Sequence, residues 1–200
     1  NSVYGYFAVS GGFELKKNFG SFSTHVRSNV GANDGNKISK NENFFIKDFE
    51  NKNINKNLKY TNSKIEYIRI LKGTNFDYFL EKSIKELTSK EFLVSKLSDR
   101  MGMRLQGPKI TNLKETNIRS EGLIKGVIQV PADGNPIIML SDHGTIGGYP
   151  KIGVVISADY DRLVQTPPGK KIKFELIELK EAEKLYKLYQ METENLLSQI

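Results

Sequence analysis

Apolar residues along the 200-residue chain fall into short runs of strand length, separated by glycine, proline and asparagine. Residues 4–9 form the first run and end at Ser10-Gly11-Gly12, which predicts a strand entering a tight turn. Residues 44–46 form a second run. Alternation over residues 65–71, stopped by Gly73, predicts another strand. Phe76, Phe79, Leu80, Ile84 and Leu87 recur at helical spacing. Asp77 near the start and Lys85 toward the end suit the helix dipole, so a helix is predicted over about residues 77–87. Residues 126–130 and 136–140 flank a turn containing Asp133-Gly134, a strong hairpin signal. With Val130 set opposite Ile137, Gln129 would pair with Ile138. Residues 152–157 and 172–177 read as two more strands, with Pro167-Pro168-Gly169 ahead of the second. The tail from Lys180 is helical in composition, with Ala182, Leu185, Tyr189, Leu196 and Ile200 able to share one face.

Many short strands with glycine and proline punctuation predict a mainly β protein, barrel or sandwich, with a few helices. Residues 51–64 are rich in Asn and Lys and poor in apolar anchors, and read as a linker. The expected organisation is a β subdomain over residues 1–50, the linker, a β-barrel subdomain over 65–180, and a helical tail over 181–200.

Composition narrows the function classes. Hydrophobic residues make up 38% and charged residues 26%, which suits a packed globular chain rather than a disordered one. No apolar run approaches the ~20 residues of a membrane-spanning helix, so no membrane partner is expected. The absence of cysteine excludes disulfides and thiolate chemistry and fits a cytoplasmic location. The first residue is Asn1 and no signal peptide follows, which reads as an internal piece of a longer protein. The net charge of +7 raises a nucleic-acid partner. The lysines are scattered, however, and often lie beside acids, as over residues 178–184, so no nucleic-acid partner is expected.

Stand-alone catalytic patterns are missing. Gly169-Lys170-Lys171 lacks the partner glycine and the hydroxyl of a phosphate loop, and no biotin-attachment motif is present. The chain by itself is therefore expected to hold neither ATP nor biotin tightly. His25 and His143 are the only histidines, and no metal site is expected. Four segments stand out. In residues 98–105, Arg100 and Arg104 flank Gly102; they form either a fork for a carboxylate or phosphate, or a turn with Asp99 as an arginine partner. Gln129 lies within an apolar strand, either facing solvent or buried with its amide paired. Residues 141–151 carry Asp142, Thr145, Tyr149 and Lys151 around Gly144, Gly147 and Gly148. Such glycines permit positive φ and close approach to a ligand, or simply make a hairpin corner. Gly11-Gly12 with residues 20–24 reads as an anion nest or a plain loop.

Residues 98–108 (SDRMGMRLQGP), residues 120–161 with GVIQVP and GGYPKI, Leu163-Val164-Gln165 and Pro168-Gly169 resemble the allophanate hydrolase subunit 2 family. That family is also called the biotin-dependent carboxyltransferase-like family, and it includes the C subunits of bacterial 5-oxoprolinases. Residues 6–12 and 20–24 match its upstream pattern, so the resemblance covers about residues 1–180. Its amino-terminal Gln-Asp-x-Gly-Arg segment is not found here. Gly144 stands where a polar side chain is usual, and Thr74 follows Gly73 where the family usually has proline. Met101 resembles the 5-oxoprolinase branch.

The resemblance implies a cyclophilin-like β-barrel, incomplete at its amino terminus. It implies a component of a hydrolase, active only in complex, that serves ATP-dependent opening of 5-oxo-L-proline to L-glutamate. The implied partners are a subunit-1-type protein, like the B component of 5-oxoprolinase, and a lactam-utilisation-type protein, like its A component. ATP is used in the complex, and biotin is not attached to this chain. Alternatives are a carboxyltransferase component of a biotin-dependent urea or amide carboxylase, and a non-catalytic partner of a kinase inhibitor. The candidate substrate- or ATP-binding residues are Arg100, Arg104, Gln129, Asp142, Thr145, Gly147, Gly148, Tyr149 and Lys151, expected to converge on one concave site, with no catalytic residue assigned.

Overall fold

The structure, a computed structural model, describes residues 2–48, 66–114 and 116–198. The predicted linker and Ile65 lie outside the described residues. The chain forms two compact units: Gly5–Asn57, and Asn1–Tyr4 with Leu58–Ile200.

In the smaller unit, β1 (Thr24–His25) pairs antiparallel with β2 (Val30–Gly31) across a 3-10 turn over Val26–Ser28. Gly31 has φ 126, and a Cβ there would lie 2.2 Å from the Ser23 carbonyl oxygen. Only glycine fits that approach. The Thr24 hydroxyl donates to the Ala32 carbonyl at 2.7 Å. The predicted strand over residues 4–9 does not form. A strand needs a neighbour to take its backbone groups, and here Tyr6 and Phe7 stand 93% and 80% exposed. The run ends, as expected, in a turn closed by the Gly12 N–H to the Val9 carbonyl. In the run over residues 44–46, Ile46 makes a single bridge to Phe13.

The larger unit is an eight-stranded sheet. Its strands are β3 (Ile68–Lys72), β4 (Phe92–Val94), β5 (Gly102–Gln106), β7 (Val127–Gln129), β8 (Ile137–Met139), β10 (Lys151–Val155), β11 (Lys171–Ile172) and β12 (Phe174–Leu176). A separate two-stranded ribbon joins β6 (Glu121–Gly122) to β9 (Ile146–Gly147). The order is β11-β4-β5-β8-β7-β10-β3-β12. The two ends of that order are consecutive pieces of one segment, broken at Lys173. The sheet therefore curls until one stretch of chain serves both edges, β11 antiparallel to β4 and β12 parallel to β3. The result is a nearly closed barrel, which leaves little open edge. The sequence pattern reads residues 172–177 as a single strand; closure splits it.

Alternate residues fill the interior. Ile70, Phe92, Leu105, Ile128, Ile138, Ile152 and Phe174 are fully buried, with the Phe92 and Phe174 rings 5.8 Å apart. The hairpin forms at Asp133-Gly134, but its register is Gln129 opposite Ile137 and Ile128 opposite Ile138. This is one residue from the expected pairing. A slip of one exchanges faces, so Gln129 lies on the face opposite the buried Ile128 and Ile138.

The helix predicted near residues 77–87 is two elements. Phe76–Tyr78 is a 3-10 turn, and α1 is Glu81–Ser89. Phe79 and Leu80 between them are extended, with ψ 147 and 141, because Phe79 bridges Asn112. A helix the pattern does not predict, α2 (Ser157–Val164), begins at the last residue of the expected strand at 152–157. Its Tyr160 and Leu163 are buried, as is Asp159, which receives Arg69 N–H and Nε at 2.8 Å each and also pairs with Arg69 Nη2. That bonding raises the Arg69 pKa. A buried acid in the apolar stripe hides the helix from its periodicity. The predicted tail helix is α3 (Leu179–Leu197); Ala182, Leu185 and Tyr189 pack with Ile156, Ala158 and Ile177.

Candidate functional site

Three candidate residues, with Ile137 between them, fall in one row across four strands of the sheet. Arg104 pairs with Ile137, Ile137 with Gln129, and Gln129 with Lys151. Directly paired residues project from the same face. Their chain neighbours Met103, Leu105, Ile128 and Ile138 fill the barrel, so the row lies on the outside. Arg104 and Lys151 stand three strand spacings apart, roughly 14 Å.

An outward Gln and Lys would ordinarily be wet. Here Gln129 and Lys151 are only 4% and 3% exposed, because the β6–β9 ribbon lies over them. A Cβ at Gly147 would come within 2.7 Å of Gln129 Nε2, so glycine at that position lets the ribbon lie flat. Gln129 Nε2 donates to the Tyr149 carbonyl at 3.1 Å. Lys151 Nζ donates to Glu121 Oε2 at 2.6 Å. The loop is tied down by Ile118 N–H to the Gly148 carbonyl and Leu123 N–H to the Thr145 carbonyl. Gly144, Gly147 and Gly148 do not use positive φ; at Gly147 the close approach is to the ends of the Gln129 and Leu123 side chains.

The backbone of Lys151 is fixed from the other side. Its N–H donates to Asn75 Oδ1 at 3.0 Å, and its carbonyl accepts the Asn75 N–H at 3.2 Å. The β10–β7 register shifts between Lys151 and Gly153, a bulge. Gly73 accommodates it: a Cβ there would lie 2.3 Å from the Lys151 carbonyl oxygen. Bulges re-aim side chains and commonly border functional sites.

The arginine fork is not formed. Arg100 makes a bidentate pair with Asp142, at 2.6 Å from Nε and 3.1 Å from Nη2, and this pairing raises the Arg100 pKa. Asp99 is not its partner; the Asp99 carboxylate accepts the Met101 and Gly102 N–H groups. Arg104 sits along extended β5, exposed. Thr145 is exposed, and the Tyr149 contact to Gln129 is made by its carbonyl rather than its phenol. The structure therefore gathers Gln129, Gly147, Gly148, the Tyr149 carbonyl and Lys151, with Arg104 on the same face. Arg100 and Asp142 form a separate bonded pair.

Two contributors were not among the sequence candidates. Glu121 lies 30 residues before Lys151, and only the pairing of β6 with β9 brings it there. Its signal was its place in the stretch 120–161 that carries the family resemblance. Asn75 follows Gly73-Thr74 and carried no signal of its own.

The chain that forms this barrel matches the family model described as carboxyltransferase domain, subdomain A and B, over residues 1–176, and belongs to that family. It is 34% identical over 189 residues to the C subunit of 5-oxoprolinase from Haemophilus influenzae, covering 92% of this chain and 59% of that protein. It is 33% identical over 181 residues to the C subunit of 5-oxoprolinase from Escherichia coli, covering 88% of this chain and 57% of that protein. The chain thus spans a little over half the length of these relatives. Among solved structures, the K. lactis urea amidolyase superposes with a TM-score of 0.79 at 24% identity, over 94% of this chain and 13% of that one. That likeness establishes the fold.

Proposed function

We propose that this chain is part of one component of an ATP-dependent 5-oxoprolinase-type hydrolase, working with subunit-1-type and lactam-utilisation-type partners in the cytoplasm. The observation that carries the reading is the similarity to two bacterial 5-oxoprolinase C subunits over about nine-tenths of the chain. The site chemistry supports it. A lactam carbonyl resists attack by water because its nitrogen lone pair is delocalised. Phosphoryl transfer from ATP to the amide oxygen, with ADP leaving, makes the ring carbon electrophilic enough for water to add. Collapse of that adduct breaks the C–N bond, the nitrogen leaving as the protonated amine, and the acyl phosphate so formed is hydrolysed to the carboxylate and phosphate. Such a reaction needs a cation for a carboxylate or phosphate and a donor for an amide oxygen. Lys151 and Gln129 are those groups on adjacent strands, with Arg104 further along the row.

The second reading is a carboxyltransferase component acting on urea or a similar amide, favoured by the fold shared with urea amidolyase. Co-expression of the full-length protein with its genomic neighbours separates the two. ATP-dependent formation of glutamate from 5-oxo-L-proline is expected. Carboxylation that requires a biotinylated protein, with no glutamate formed, would overturn the first reading in favour of the second.

A further inference from the structure

Two buried donors on the outer face are each capped by a group from the covering segment, and the two caps differ in kind. Lys151 Nζ meets a carboxylate, Glu121. Gln129 Nε2 meets an amide carbonyl, that of Tyr149. A cyclic amide bearing a carboxylate presents this same pair of acceptors. We propose that Glu121 and the Tyr149 carbonyl are an internal stand-in for such a ligand, and that a small carboxylate-bearing amide binds at Lys151 and Gln129 by displacing them. The choice of ligand rests on the 5-oxoprolinase reading; the displaceable carboxylate rests on geometry.

The asymmetry of the ion pair decides which partner moves. The Lys151 side chain is 4% exposed, and its strand is flanked by β7 and β3 and tied by Asn75 on both its N–H and its carbonyl. Glu121 is 46% exposed and sits on the β6–β9 ribbon, outside the barrel sheet, where its strand is paired on one side to β9 and to the flanking Thr145 and Gly148 carbonyls. The cation is thus fixed between two barrel strands, whereas the carboxylate is half exposed on a ribbon outside the barrel sheet. An ammonium has three donors, and a buried one without a counter-charge is strongly disfavoured. Withdrawal of Glu121 therefore leaves a site that favours any small anion able to reach it. Gln129 is directly paired with Lys151 on the neighbouring strand, ~4.8 Å away. One small ring carrying both acceptor types can address both donors.

The test is calorimetric titration of the full-length protein with 5-oxo-L-proline, propionate (carboxylate only) and 2-pyrrolidinone (lactam only). Glu121→Gln is expected to bind both carboxylates at least about 10-fold tighter than the unaltered protein, an amount that one relieved charge contact accounts for. Binding of 2-pyrrolidinone should not change. Adding Lys151→Met to Glu121→Gln should erase the gain. Equal or weaker carboxylate binding by Glu121→Gln, or the same gain with 2-pyrrolidinone, overturns the proposal. Should Glu121→Gln be too unstable for titration, its melting temperature should rise with propionate and not with 2-pyrrolidinone; no selective rise overturns it. A complex that opens 5-oxo-L-proline while Glu121→Gln gains nothing would sink the stand-in and spare the function. A gain for propionate with none for 5-oxo-L-proline would overturn the ligand assignment and count against the function itself.

Discussion

Lys151 is the residue on which most of the site depends. It combines a buried ammonium, a barrel strand and a bulge. In the assembled complex Lys151→Ala should lower turnover of 5-oxo-L-proline by at least ~10-fold, since one lost charge-stabilising contact typically costs a few kcal/mol; steady-state kinetics on the co-expressed complex will show it. Asp133 makes a different prediction. Its carboxylate accepts the Asn135 N–H at 3.0 Å, and that bond, followed by the Asn135 side chain, holds its pKa below the ordinary aspartate value. A lowered folded pKa means that the contribution is complete above the unfolded value and disappears as pH falls through the folded one. Asp133→Asn should therefore lower stability near neutrality, and in urea unfolding the difference from the unaltered protein should vanish as pH falls through the acidic range, flattening that acid limb.

At the scale of elements, the bulge in β10 and the close passage of Gly73 are one device. Gly73→Ala places a methyl 2.3 Å from the Lys151 carbonyl oxygen, against backbone rather than a yielding side chain. Overpacking of that kind costs about 1–3 kcal/mol. Its effect should reach the site as well as the fold: both the denaturation midpoint and the binding of carboxylate probes should fall. The pattern around Phe76 and Phe79 shows why elements are hard to delimit from spacing. A 3-10 turn followed by a bridge places the same apolar residues inward as a continuous helix would.

For the whole molecule, stability rests on a barrel interior closed by a single split segment, residues 171–176. Ile128, on the central β7, is fully buried within that interior. Ile128→Ala should destabilise the larger unit by roughly 2–5 kcal/mol through lost burial and the cavity left behind, read as a lowered midpoint in chemical denaturation. The smaller unit follows another rule. Tyr6, Phe7, Phe19, Ile38 and Phe45 are all largely exposed, and large exposed apolar side chains mark an interaction surface where they cluster. Sedimentation velocity should show concentration-dependent association that Phe7→Ser with Phe45→Ser reduces; a monomer at every concentration would count against such a surface.

Local sequence determined the mainly β class, the hairpin at Asp133-Gly134 and the tail helix, and it singled out residues 129 and 147–151 as candidates. These depend on alternation, turn chemistry and glycine placement, which neighbouring residues set among themselves. The hairpin's register, the splitting of residues 172–177 and the helix at Ser157–Val164 were decided by the tertiary structure. Each depends on partners distant in sequence: Ile137 is also the neighbour of Arg104, Lys173 lies between two sheet edges, and Asp159 is buried only because Arg69 meets it. The site divides the same way. Gly147 and Lys151 were visible in their own segment, whereas Glu121 and Asn75 became part of the site only when the ribbon and the bulge brought them to Lys151, because charge pairing and close packing act through space and leave no periodic trace along the chain.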